Sequence, residues 1–135
     1  MGFSDDVIKL HRQVARLKEL TRRGWVARGV DAPESVADHS LGVCALGLVF
    51  ADRLDLDRGK VLTMAALHDL CEALCGDVIP ADGVDPASKL AREDAAMVQV
   101  LGDLPGGEGL LALWRDMARG GSEEGCLVKE LDTLE

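Results

Sequence analysis

No run of apolar residues approaches the roughly 20 needed to cross a bilayer. The opening Met1 to Asp6 has neither the basic nor the apolar segment of a secretory leader. The expectation is a cytoplasmic protein with no membrane partner. Positive charge is also scarce, with 15 Lys and Arg against 24 Asp and Glu and a net charge of -9. A surface of that sign repels phosphate backbones, which argues against a nucleic acid polymer as partner. A substrate carrying phosphate must then be attracted by a local device, a metal ion or an arginine in a pocket. Cysteines are few, and the spacing of Cys44, Cys71, Cys75 and Cys126 matches no compact disulfide framework, so they read as free thiols. Internal repeats, low-complexity tracts, an obvious linker and any convincing strand-like alternation are missing as well.

What is present is a globular balance, 47% hydrophobic and 29% charged over 135 residues, enough for one domain with a real core and too short for two. Ser4 can cap a first helix that begins with Asp5 and Asp6, carries Val7, Leu10, Val14 and Leu17 along one side, and stops near Gly24. Gly29 and Pro33 mark a loop to about Ser35. From Val36 to Leu54 the apolar positions are nearly continuous, which predicts a helix buried on most sides. Asp57 caps a third helix that runs to about Gly76 and carries His68 and Asp69. Asp85 and Pro86 open a fourth, ending near Gly102. Pro105, Gly106, Gly107 and Gly109 break the chain before a short helix at about Leu110 to Met117, and a last helix starts at Ser122. The expected fold class is all-α, a bundle of about five to six helices.

The chemistry concentrates in Leu67-His68-Asp69-Leu70-Cys71-Glu72. On a continuous helix His68, Asp69 and Glu72 share a face, and imidazole and carboxylate are ligands for borderline and hard divalent ions. Taken alone, a His-Asp doublet on a helix is more often an exposed or satisfied couple. His39 at the start of another apolar helix and Asp132 near the end of the last supply two distant candidates. Two neutral imidazoles and two carboxylates balance a divalent charge and leave positions for water and a phosphate oxygen, as metal-assisted hydrolysis requires. Cys71 and Cys75 beside His68 offer a competing structural zinc site, but one that leaves Asp69, Glu72 and Asp77 unexplained. His11 has no ligand-like neighbours and reads as a surface residue. Trp114 and Met117 read as core, and Glu34 and Asp38 as first-turn carboxylates favoured by the helix dipole.

The order His39, His68-Asp69, Asp132 resembles the HD-domain phosphohydrolase superfamily. Further segments resemble its 5'-deoxynucleotidase branch: Arg23 to Val30, Pro33 to His39, Ala66 to Glu72, Gly76-Asp77-Val78, Leu113-Trp114 and Val128 to Asp132. The resemblance covers Leu17 to Glu135. It implies that residues 1–135 form one HD domain, short of the C-terminal helices that longer members carry. It implies removal of the 5'-phosphate from deoxyribonucleoside 5'-monophosphates, with a small deoxynucleotide as partner and a homodimer or larger homo-oligomer. The metal shell carried over is His39, His68, Asp69 and Asp132, holding manganese, cobalt, magnesium, zinc or iron. Glu72 and Asp77 are the acidic residues beside the substrate or a second divalent ion, to which Val78 adds its carbonyl, and either one can help move protons. Arg23 matches an arginine that orients the phosphate, and Trp25 a tryptophan that crowds the sugar and favours deoxyribose. His39, Asp69, Asp77 and Val78 complete the expected substrate contacts. The alternatives are an HD-type deoxynucleoside triphosphate triphosphohydrolase and a nucleotide-binding or scaffold protein without turnover.

Overall fold

The computed structural model describes residues 4–135. Eight α-helices follow one another: α1 (Asp5–Leu17), α2 (Arg23–Ala27), α3 (Val36–Arg53), α4 (Arg58–Leu67), α5 (Glu72–Cys75), α6 (Pro86–Leu101), α7 (Gly107–Arg119) and α8 (Glu123–Leu134). A 3₁₀ turn at Pro80–Asp82 precedes α6. No strand forms among the described residues, and Thr21 and Ser35 make an isolated bridge. The all-α expectation holds. The six long helices correspond to the six segments expected from the sequence, α2 is an additional short one, and α5 is the far end of the expected third helix, split from it after Leu67.

Caps set most of the boundaries. Ser35 and Asp38 form a reciprocal capping box at the start of α3, and the side chains of Asp57, Asp85 and Ser122 accept the amides of Lys60, Ser88 and Gly125. Ser4 takes the cap position of α1 without a side-chain bond. That helix ends at Leu17, seven residues before the expected Gly24, because residues 20–22 turn to pair with 34–36. Arg22 N–H donates to the Glu34 carbonyl at 3.0 Å and Val36 N–H to that of Leu20 at 2.8 Å. Gly24 instead lies inside α2. Helix α7 starts three residues earlier than expected, since Gly106 enters it at φ 76° and Gly107 lies so close to the Leu101 carbonyl that a Cβ would sit 1.9 Å from it.

Helix α3 packs on α4 and α8, α4 on α7 and α8, and α7 on α6, while α1 covers α5 and α6. The shared core holds Val36, Val43, Ala51, Val61, Met64, Met97, Leu101, Trp114, Val128 and Leu131. Burying a side chain such as Met64 or Val61 contributes roughly 1.5–3 kcal/mol. Helix α3 is not enclosed as the apolar run suggested: Leu41 is 72% exposed, and Leu48 and Val49 are about half exposed. Its core stripe is narrower, through Val36, His39, Val43, Gly47 and Ala51. None of the described helices is long and apolar enough to cross a membrane.

Candidate metal centre

Three elements meet at one point beneath the α3 N-terminus. His39 sits on the first turn of α3, fully buried, where the capping box fixes the helix start. Asp132 comes from the last turn of α8, anchored by its buried neighbours Val128 and Leu131. The His68-Asp69 doublet departs from the expected single helix. Helix α4 stops at Leu67, residues 68–71 form a turn, and α5 begins at Glu72. The amides of Leu70, Glu72, Ala73 and Leu74 bond to carbonyls three residues back rather than four, a tighter winding that turns the doublet toward α3. Trp114, wholly buried in α7, donates from its indole to the His68 carbonyl at 3.2 Å and ties the turn to the core.

His39 Nε2 lies 2.9 Å from Asp132 Oδ1, 3.2 Å from His68 Nε2 and 3.6 Å from Asp69 Oδ2, and His68 Nε2 is 3.1 Å from Asp69 Oδ2. One donor atom from each of the four lies within 4.8 Å of the others. The far nitrogens are also provided for. His68 Nδ1–H donates to the Ala65 carbonyl at 2.7 Å, which leaves Nε2 unprotonated in the neutral ring and facing the cluster. His39 Nδ1 meets the Glu135 carboxylate, an acceptor that favours the same tautomer, and Arg22 Nη1 approaches that nitrogen at 2.7 Å. Two imidazoles and two carboxylates converging in this way fit a divalent ion, the charge of the two carboxylates balancing it.

The electrostatics describe a site waiting for positive charge. Burial lowers the His68 pKa, but the Asp69 carboxylate beside it and the bond to Ala65 outweigh that and raise it to about 9. His39 rises for the same reason, with burial opposed by Asp132 and Glu135. Glu72 is buried, and loss of solvent together with the charges of Asp69 and Asp77 pushes its carboxyl up to about 10. It therefore carries a proton at neutral pH.

The other expected site residues divide. Arg23 does not reach the cluster: its guanidinium pairs with both oxygens of Asp82 at 2.7 and 2.8 Å and donates to the Asp77 carbonyl at 3.0 Å. Its neighbour Arg22 does, donating to Glu34 Oε1 at 2.9 Å while facing His39. The cause is the extended run paired with residues 34–36, in which successive side chains point to opposite sides. Trp25 is half-buried, donates to Glu34 Oε1 at 3.2 Å, and lines a hollow of about 230 Å³ with Val30, Pro33, Glu34 and Glu135. Asp77 accepts the Arg23 amide on its carboxylate at 2.7 Å, and the Val78 carbonyl accepts from Lys89 Nζ at 3.2 Å. Of the residues expected around a second ion, Asp77 and Val78 thus already have partners. Neither of the two groups of three or more metal-competent side chains among the described residues, His39-His68-Asp69-Asp132 and Glu34-His39-Glu135, includes Glu72 or Asp77. Neither includes Cys71 or Cys75, so the zinc alternative has no geometry behind it. His11 is exposed, and Trp114 and Met117 are core.

Arg22, Glu34 and Glu135 are the residues that sequence reasoning missed or set aside. No alternation in the sequence separates Arg22 from Arg23, and the Thr21–Ser35 bridge that does so appears only in the fold. Glu135 stands three residues after Asp132 and so returns to the same helix face.

Residues 14–135 match the HD domain family. The chain is 38% identical over 133 residues to the 5'-deoxynucleotidase HDDC2 of Danio rerio, covering 97% of this chain and 66% of that protein. With the Homo sapiens protein of the same name the identity is 37%, covering 96% and 64%. The chain spans about two thirds of the length of the curated relatives it matches. Among solved structures, a conserved hypothetical protein from Pyrococcus furiosus superposes with a TM-score of 0.83 at 34% identity, covering 94% of this chain and 76% of that one. A Pyrococcus horikoshii OT3 protein superposes with a TM-score of 0.82 at 35% identity, covering 94% and 72%. A helical fold that gathers two histidines and two aspartates from three separated segments, matched over nearly its whole length, makes this chain a member of the HD domain family.

Proposed function

We propose that the chain is a metal-dependent phosphohydrolase that removes the 5'-phosphate from deoxyribonucleoside 5'-monophosphates. The observation that carries this reading is the convergence of His39, His68, Asp69 and Asp132 in a chain whose relatives are named 5'-deoxynucleotidases. Those four residues would hold the divalent ion. When bound, it supplies Lewis acidity toward a phosphoryl oxygen and activates water.

The chain's own residues account for the rest. Arg22, held by Glu34 beside the far nitrogen of His39, is read as the group that donates charge-assisted hydrogen bonds to the phosphoryl oxygens and stabilises charge that moves toward the leaving group. This local positive group answers the repulsion of a chain carrying -9. Glu72, buried beside Asp69 and Asp77, is read as the group that passes a proton to the departing 5'-oxygen. Asp77 fixes the start of α2 through the Arg23 amide, and so sets where Arg22 and Trp25 stand. Trp25 closes the hollow beside the cluster, where a bulky indole leaves less room for a 2'-hydroxyl. Residues 1–135 are read as a single HD domain. Assembly of two or more copies belongs to the same reading, supported by the exposed apolar face of α3.

The test is product analysis on a panel of deoxy and ribo mono- and triphosphates, with each divalent ion and with chelator. Inorganic phosphate from deoxyribonucleoside monophosphates, dependent on added ion, supports the proposal. Triphosphate or pyrophosphate released from a deoxynucleoside triphosphate instead, or nucleotide binding without turnover, overturns it.

A further inference from the structure

The resemblance places Glu72, Asp77 and the Val78 carbonyl beside the substrate or a second divalent ion, and the chain itself already engages two of these three groups. The Val78 carbonyl is taken by the ammonium of Lys89 at 3.2 Å. The Asp77 carboxylate is taken by the backbone amide of Arg23 at 2.7 Å, and the Asp77 carbonyl by the Arg23 guanidinium, itself clamped by Asp82.

Lys89 is not a solvated lysine. It rises from the first turn of α6, with a side chain only 40% exposed, and Nζ lies 3.5 Å from Glu93 Oε1 on the next turn. The carboxylate its ammonium faces is that of Glu93, and the charge of Asp69 adds to it. The Val78 carbonyl, a group that a second cation would answer, thus faces a cation already attached to the chain. A lysine ammonium is a compact point charge suited to that place.

We infer that the Lys89 ammonium holds the place of a second divalent ion, so that this chain binds a single ion, at His39, His68, Asp69 and Asp132. Lys89 is in this account a positioning residue: it fixes the 76–78 segment through Val78 and sets a permanent positive charge beside Glu72. The inference rests on the four-residue metal centre of the proposed function, and a count of bound ions separates the two.

The experiment is equilibrium dialysis of the full chain against Mn²⁺ with elemental analysis of the retained metal. The expected result is one ion per chain in the wild type, unchanged in Glu72→Gln and Asp77→Asn and lost in His68→Ala. Lys89→Met, which keeps the length of the side chain and removes its charge, is expected to rise to two, with Lys89→Gln as the second uncharged variant should Met prevent folding. Lys89→Arg is expected to stay at one. A wild-type count of two that falls to one in Glu72→Gln overturns the inference and leaves the proposed function standing. So does a count that stays at one in the folded uncharged variants. A wild-type count of zero removes the metal centre itself and both readings with it.

Discussion

Arg22 and Arg23 are adjacent in the chain and have different work. The first faces His39 and Glu34, the second is occupied by Asp82 and Asp77. Arg22→Ala is therefore expected to lower kcat/KM for a deoxyribonucleoside monophosphate by about a hundredfold, in line with the loss of one donor to a developing charge. Arg23→Ala is expected to change it only a few-fold, and steady-state kinetics on the two variants decide. The reverse ranking would show that the arginines exchange places on binding substrate. The Glu135 carboxylate on His39 Nδ1 carries a further expectation: Glu135→Gln weakens Mn²⁺ binding by about 10–100-fold, as loss of a group orienting a ligating histidine does. Titration calorimetry measures this directly. His39, His68, Asp69 and Asp132 were legible because their residue types and order are distinctive. Arg22 and Glu135 were not, because an arginine beside an arginine and a glutamate among acidic residues look like solvated charge until the backbone direction is known.

At the scale of elements, boundaries written in capping residues were readable and those set by tertiary contact were not. Ser35 to Asp38, Asp57, Asp85-Pro86 and Ser122 each announce a helix start, and each helix begins there. The break after Leu67 has no such mark. The run through Leu70, Cys71, Ala73 and Leu74 suits a helix, and the interruption comes from the tighter turn whose carbonyl at His68 is claimed by Trp114. The apolar run of α3 likewise could not tell a buried face from an exposed one, since Leu41 and Val43 have the same character and opposite surroundings. Two stability measurements check these devices. Ser35→Ala removes half of the capping box and is expected to cost about 1 kcal/mol. Trp114→Ala is expected to cost about 3–5 kcal/mol through the cavity it leaves. It should also weaken metal binding, since it frees the turn that carries His68 and Asp69, whereas Ser35→Ala acts at the His39 end of the same site.

For the whole molecule the fold is a means of holding like groups close together, and the consequence is a stability that depends on pH and on metal. The folded His68 pKa is raised to about 9 from its ordinary 6.5, so its contribution is complete below 6.5 and is lost as pH rises through 9. Glu72, raised from 4.5, keeps a proton that the unfolded chain gives up, which also favours the folded state less as pH rises. Both signs agree: in chelator the midpoint of thermal unfolding should fall between pH 6.5 and 9. Bound ion replaces the proton on His68, so the gain in Tm on adding Mn²⁺ should grow over the same interval. A metal-free Tm that is flat or rising there contradicts this electrostatic picture.

The most direct test is the anomalous scattering map of crystals grown with Mn²⁺. The expected result is a strong peak bonded to His39 Nε2, His68 Nε2, Asp69 and Asp132 together. A map whose manganese lies elsewhere, or one in which Asp132 has moved away from the doublet and takes no part, would contradict the account.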